Sequence, residues 1–283
     1  MRVITCSGCE SSREGESDEN NHNHYIVRAF VESHGREVMD SINGMRGASA
    51  LMTPTSQKGL VLVGATGMVG GYALRYALEN AAVGTVTAIV RRKLGISHPK
   101  LQEVLHRDFA DCSSLSRVLS GQDAAVFCLG AYTGTVSDTE LRRITVDYTI
   151  EFARVLSGSS PNAAFSFLSG SGADSTGRSR IAYARYKGKA ENALLAAGLP
   201  CVYLFRPAYI YPVEPRKEPS FNYRLLRVIY PVFQLLLPNQ VIRADDLAPA
   251  MVDVAVQGTD RGGRVFENRD IRAMVKRIHP STG

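Results

Sequence analysis

Leu60-Val61-Leu62-Val63-Gly64-Ala65-Thr66-Gly67-Met68-Val69-Gly70 decides how the chain is read. Four apolar residues run into three glycines spaced G-x-x-G-x-x-G. Behind them Val69, Tyr72, Ala73, Tyr76 and Ala77 recur at helical spacing. A buried strand that turns through glycines directly into an amphipathic helix is the start of a dinucleotide-binding βαβ unit. Gly64 permits the tight turn, Gly67 lets the backbone approach a pyrophosphate, and Gly70 lets the helix pack closely on the sheet. The helix start also presents unpaired N–H groups and a partial positive charge to phosphates. Gly64, Thr66, Gly67, Met68, Val69 and Gly70 are therefore the candidate pyrophosphate contacts. The rival reading is a glycine-rich turn with no ligand; the strand before it and the helix after it weigh against that.

The same alternation continues downstream. Strands are expected at 85–90, 103–106, 124–129, 164–168 and 201–205, with helices at 113–119, 139–156 and 181–197. A further helix runs to Val256, with Asp245 and Asp246 read as its caps. Short apolar strands separated by helices give a parallel sheet covered on both faces, and right-handed crossovers make it doubly wound. The fold class is α/β, a Rossmann fold spanning 58–283. Residues of about 207–240, rich in Tyr, Phe and Pro, form a small substrate-side segment.

Residues 1–57 differ in character. Glu10 to Asn23 is acidic, rich in Ser and Asn, and lacks large apolar residues. Such a composition cannot offset its ordering entropy, and a disordered tail is expected there. Cys6-x-x-Cys9 with His22 and His24 has the wrong spacing and no apolar finger core for zinc, so no metal is assigned.

The 283 residues carry a formal charge of +6, with −2 on residues 1–58 and +8 on the remainder. A moderately basic body suits a phosphorylated ligand. No basic stripe interleaved with aromatics and no reader motif appears, which argues against nucleic acid. The apolar stretch Leu225 to Leu237 is interrupted and too short for a membrane span. Five cysteines without regular spacing argue against a disulfide framework and for a reducing compartment. Cys112, Cys128 and Cys201 are read as buried free thiols. No apolar signal opens the chain, and the expected location is the cytoplasm.

The second strand indicates which dinucleotide. Enzymes that use NAD commonly place an acidic residue after it to hold the ribose hydroxyl. Here it ends in Val90-Arg91-Arg92-Lys93. Guanidinium groups pair bidentately with phosphate, so Arg91 and Arg92 suit the 2′-phosphate and favour NADP(H), with NAD(H) as the alternative. Asp108 and Phe109, after the third strand, are candidate adenine contacts; Asp108 equally fits a turn.

Tyr183-Ala184-Arg185-Tyr186-Lys187 contains Y-x-x-x-K, preceded by the serine-rich strand end Phe167-Leu168-Ser169-Gly170-Ser171-Gly172. With the glycine loop, these stretches resemble the short-chain dehydrogenase/reductase superfamily in its atypical or extended branch. They are most similar to the Tat-interacting oxidoreductase-like family. Phe127-Cys128-Leu129-Gly130 and Phe205-Arg206-Pro207 add to the likeness, which covers about 59 to 270. The resemblance implies that Tyr183 is the general acid/base and that Lys187 lowers its pKa and holds the nicotinamide ribose. It implies that Ser171, with Ser169 as second choice, bonds the substrate carbonyl. Leu129 and Gly130 would line the cofactor, and Pro207 would face the nicotinamide. The assisting Asn that many relatives carry has no counterpart at Arg142 to Asp147. Spacing alone agrees that Tyr183 and Lys187 share a helix face; a surface pair is the rival.

The function expected is hydride transfer between NADPH and a carbonyl or hydroxyl carbon of an unknown small molecule. The alternative is a regulatory or scaffold protein that binds NADPH without turnover. A homodimer through 139–156 and 181–197 is left open.

Overall fold

In the computed structural model, the described residues are 57–131, 134–214, 238–259 and 264–278. The expected tail, the Cys6 to His24 group and most of the substrate-side segment lie outside them. Strand β1 (Lys58–Val63) leads through the glycine turn into α1 (Met68–Glu79), followed by β2 (Val83–Val90) and β3 (Leu101–Leu105). Helix α2 (Ser116–Leu119) and β4 (Ala124–Phe127) come next. A long helical stretch then runs as α3 (Asp138–Arg142), a π-helical turn (Arg143–Asp147) and α4 (Tyr148–Ser159). The chain continues through β5 (Ala164–Leu168), α5 (Ala182–Leu195), β6 (Cys201–Arg206), β7 (Tyr209–Tyr211), β8 (Val241–Arg243), α6 (Ala244–Gln257), β9 (Val265–Glu267) and α7 (Asn268–Ile278).

Seven parallel strands form one sheet in the order β3-β2-β1-β4-β5-β6-β9, and β7 pairs with β8 separately. Alternating side chains on each strand face opposite ways. Leu60, Leu62, Ala124 and Val126 join the core on the side of α1 and α6, while Val61, Val63, Ala125 and Phe127 join the core on the side of α2, α4 and α5. Both faces are dry, which explains the near-continuous apolar runs in the sequence. Strand order reverses between β1 and β4, where connections leave in opposite directions and open a crevice at the carboxyl ends of the strands.

Helix α1 buries Val69, Gly70, Ala73, Leu74, Ala77 and Leu78. Asp253 of α6 ties its far end, accepting from the Tyr76 hydroxyl at 2.9 Å and from Asn80 Nδ2 at 3.0 Å. Helix α3 starts at Ser137, whose hydroxyl oxygen accepts from Glu140 N at 3.2 Å.

The structure also amends the expected elements. The third strand starts two residues earlier than read and ends one earlier. The helix expected at 139–156 contains a π-turn. Strand β9 was not anticipated: it is three residues long with only Phe266 buried, too short for a hydrophobic period to register. Asp245 and Asp246 lie inside the first turn of α6, not at its cap, and Asp245 takes the Arg243 guanidinium at 2.7 Å. Cys112 and Cys128 are buried free thiols, whereas Cys201 is disulfide-bonded. Among the described residues no helix is long and apolar enough to cross a membrane.

Phe127, with Phe152, Phe165 and Phe167 at centroid distances of 5.3, 5.9 and 6.2 Å, forms the centre of one core face. Phe127→Ala should lower stability by about 3–5 kcal/mol in urea denaturation, and Phe127→Leu by distinctly less.

Candidate cofactor and active site

The glycine loop is a close-packed corner. Gly64 sits at φ +88°, and a Cβ there would press on the backbone of Cys128 and Leu129, 2.8 to 3.0 Å away. Gly67 N donates to Gly64 O at 2.8 Å. A Cβ on Gly70 would collide with that same Gly64 carbonyl. These contacts give Gly64 and Gly70 the turn and packing roles expected of them. Helix α1 opens at Gly67 with no capping side chain and no acidic residue in its first turn. An uncapped helix start with no acidic side chain leaves its first N–H groups for an anionic group. Thr66 is exposed, while Val69 is buried in the core and so offers the loop only its backbone.

A cavity of about 330 Å³ adjoins the loop, lined by Thr66, Gly67, Met68 and Tyr72 on one side and by Pro212, Val213 and Glu214 on the other. Arg75 of α1 lies 4.5 Å from the Tyr72 ring centroid and pairs with Glu214 at 2.8 Å, tying the segment after β7 to α1. This second wall lies within the segment of about 207–240 that the sequence reads as substrate-side, and it follows a strand only three residues long.

Arg91 and Arg92 are exposed just beyond the end of β2, beside the strand that carries the loop. Leu129 is half-buried and Gly130 exposed just past β4. Asp108 and Phe109 serve the turn and the core. Asp108 Oδ1 accepts from Ala110 N at 3.0 Å. The Phe109 ring is buried, 5.1 Å from His106 and 6.1 Å from Tyr148.

The second half of the site is built on α5. Tyr183 and Lys187 lie one turn apart. The Tyr183 hydroxyl stands against Gly170, where a Cβ would collide with it. Gly188 plays the matching part on the helix, since a Cβ there would collide with the Asp174 carbonyl. The loop 171–181 is therefore drawn tightly onto α5. Asp174 organises it, accepting from Thr176 N at 2.9 Å and its hydroxyl at 2.6 Å. These bonds hold its carboxyl down to about 2.

Lys187 is 5% exposed. Its Nζ donates to Leu168 O at 2.7 Å and lies 4.6 Å from the Phe167 ring centroid and 5.9 Å from that of Tyr183. Burial draws it down to about 8, against the opposing pull of Glu191 and Cys128. Burial likewise pushes the Cys128 thiol up to about 12. Because Cys128 touches the Gly64 corner, Lys187 lies one strand away from the glycine loop.

Ser171 is exposed beyond β5, its N–H donating to the carbonyl of buried Pro207 at 2.8 Å. Ser169 is buried and its hydroxyl donates to Glu191, so it is engaged away from any substrate. Sequence reasoning did not single out Glu191 or its partner Arg206. The available signal was the spacing, since Glu191 extends the Tyr183–Lys187 face by one more turn.

The fold and these sites can be set beside known proteins. Protein fmp52, mitochondrial, of Aspergillus niger is 28% identical over 57% of this chain and 70% of its own. Its namesake in Meyerozyma guilliermondii is 23% identical over 59% of this chain and 72% of its own. The structure of the Bordetella bronchiseptica enzyme WbmG in complex with NAD shares the fold, with a TM-score of 0.56, 16% identity and 81% of each chain covered. The fungal names overturn the expected cytoplasmic location. The features behind that expectation bore only on the secretory route, and they do not separate cytoplasm from mitochondrion. The resemblance to the extended short-chain dehydrogenase/reductase superfamily holds. An NAD(P)H-binding family model matches residues 64–257, well over half the chain, and the protein belongs to that family.

Proposed function

We propose that the chain is an NADP-dependent oxidoreductase of the atypical short-chain type, acting on a carbonyl or hydroxyl carbon of a small molecule. The observation that carries this reading is the buried Lys187 ammonium one helical turn from Tyr183, at the same sheet edge as the glycine cradle. A surface pair on a polar helix would leave that lysine in water.

Gly64, Thr66, Gly67, Met68, Val69 and Gly70 hold the pyrophosphate, and Arg91 and Arg92 the 2′-phosphate. Leu129, Gly130 and Pro207 line the remainder. When bound, the cofactor supplies or accepts the hydride. Lys187 holds the nicotinamide ribose and stabilises the phenolate form of Tyr183. Tyr183 passes a proton to or from the substrate oxygen, which the Ser171 hydroxyl orients. The fungal relatives' names make the mitochondrion the compartment we propose.

Titration of the purified chain, followed by nicotinamide fluorescence, should show NADPH bound at least about tenfold more tightly than NADH, as a charge-assisted phosphate contact implies. Arg91→Ala combined with Arg92→Ala should remove that preference and leave NADH affinity alone. Equal affinity of the unaltered chain for both would overturn the role given to these arginines.

Tyr183→Phe should reduce turnover of any substrate found by screening about a hundredfold or more while NADPH affinity is retained. Unchanged turnover would remove the acid/base assignment.

A further inference from the structure

Tyr183, Lys187 and Glu191 lie at successive four-residue intervals along one face of α5. The first two belong to the site already described; Glu191 has no part in it so far. It is 1% exposed. Its Oε1 accepts from Arg206 Nε at 2.9 Å and from the Ser169 hydroxyl, and its Oε2 accepts from Arg206 Nη2. Arg206 ends β6 and reaches on to Glu267 of β9 at 3.1 Å. Ser169 is itself fixed, its N–H donating to Phe205 O at 2.8 Å. The carboxylate is thus clamped from the ends of β5 and β6. A buried charge held this firmly is costly unless its partners offset it.

Lys187 is the neighbour whose charge Glu191 supports. It bonds the Leu168 carbonyl and faces the Phe167 ring on β5 and the Tyr183 ring on its own helix, and its charge feels Glu191 one turn on and Cys128 just past β4. Charged groups in the helical stretch packed on α5 have other partners: Arg142 with Asp147 at 3.3 Å, Arg143 with Glu140 at 3.8 Å, and Asp138 with the Tyr186 hydroxyl at 2.6 Å.

Resting on the oxidoreductase reading of the Tyr183–Lys187 pair, we infer that Glu191 is a positioning residue of that site. Clamped by Arg206 and Ser169, it supplies the countercharge that keeps buried Lys187 an ammonium beside Tyr183. Burial draws Lys187 down to about 8, and Glu191 opposes that draw. Without it, Lys187 sheds its proton at lower pH. Tyr183, no longer facing a cation, then keeps its own proton to higher pH.

The ionisation of Tyr183 is measured by ring-carbon NMR of labelled tyrosine in the full chain, with Tyr183→Phe giving the assignment and neither cofactor nor substrate added. Glu191→Gln should raise the pH midpoint of Tyr183 by about one unit. In a Lys187→Met background the same substitution should move it much less. An unchanged midpoint in the single variant, or an equal shift in both backgrounds, overturns the inference. If Glu191→Gln does not fold, Glu191→Asp takes its place: it keeps the charge but withdraws it by one methylene, and should raise the midpoint by a smaller amount. No shift there overturns the inference equally. Failure of the oxidoreductase reading would show separately, as no NADPH binding by the unaltered chain while the Tyr183 midpoint still responded to Glu191.

Discussion

The close approach of α1 to the carbonyl of Gly64 is the constraint on which the rest of this fold turns. Gly70 can sit there only without a Cβ, and Gly64 can turn only with a positive φ while its Cα lies against the Cys128 backbone. Those contacts fix the helix over the crevice between β1 and β4, so that its first N–H groups point at the carboxyl edge of the sheet. They also fix the start of the loop after β4 at Cys128. The glycine corner and the loop after β4 are therefore held together where two neighbouring strands end.

Where physical pattern was strong, the sequence was readable. Leu60 to Val63 before three glycines, and the apolar runs of β4, β5 and β6, announced a doubly wound sheet because burial on both faces leaves little room for polar residues. Tyr183 and Lys187 were readable because four residues is one helical turn. Other features left no local trace. Strand β9 buries one side chain of three, and its place beside β6 is set by tertiary contact. Phe109 looks from the sequence like a loop aromatic beside a ligand, and only the packing of His106 and Tyr148 shows that its ring completes a core. Compartment was misread because the residues consulted do not distinguish two non-secretory locations.

Polar groups beneath the site are balanced, not merely tolerated. Lys187 and Arg206 bring two cations, and Glu191 and Glu267 bring two carboxylates, with Ser169 adding a hydroxyl. Arg206 suits its place because a planar fork can satisfy both oxygens of Glu191 and still reach Glu267. A lysine there would not match the fork that meets both oxygens of buried Glu191. The group lies where β5, β6 and β9 end, so neighbouring strand ends bring together residues far apart in sequence.

The π-turn at Arg143–Asp147 inserts an extra residue into one continuous helix. An α-helical residue turns the chain by about 100°, so such an insertion resets the angular phase of everything after it. Leu141 upstream, and Phe152 and Leu156 downstream, are all buried. The wide turn takes up that residue, so Phe152 keeps its place in the aromatic cluster it shares with Phe127. The length of this segment, as much as its side chains, holds that face of the sheet shut.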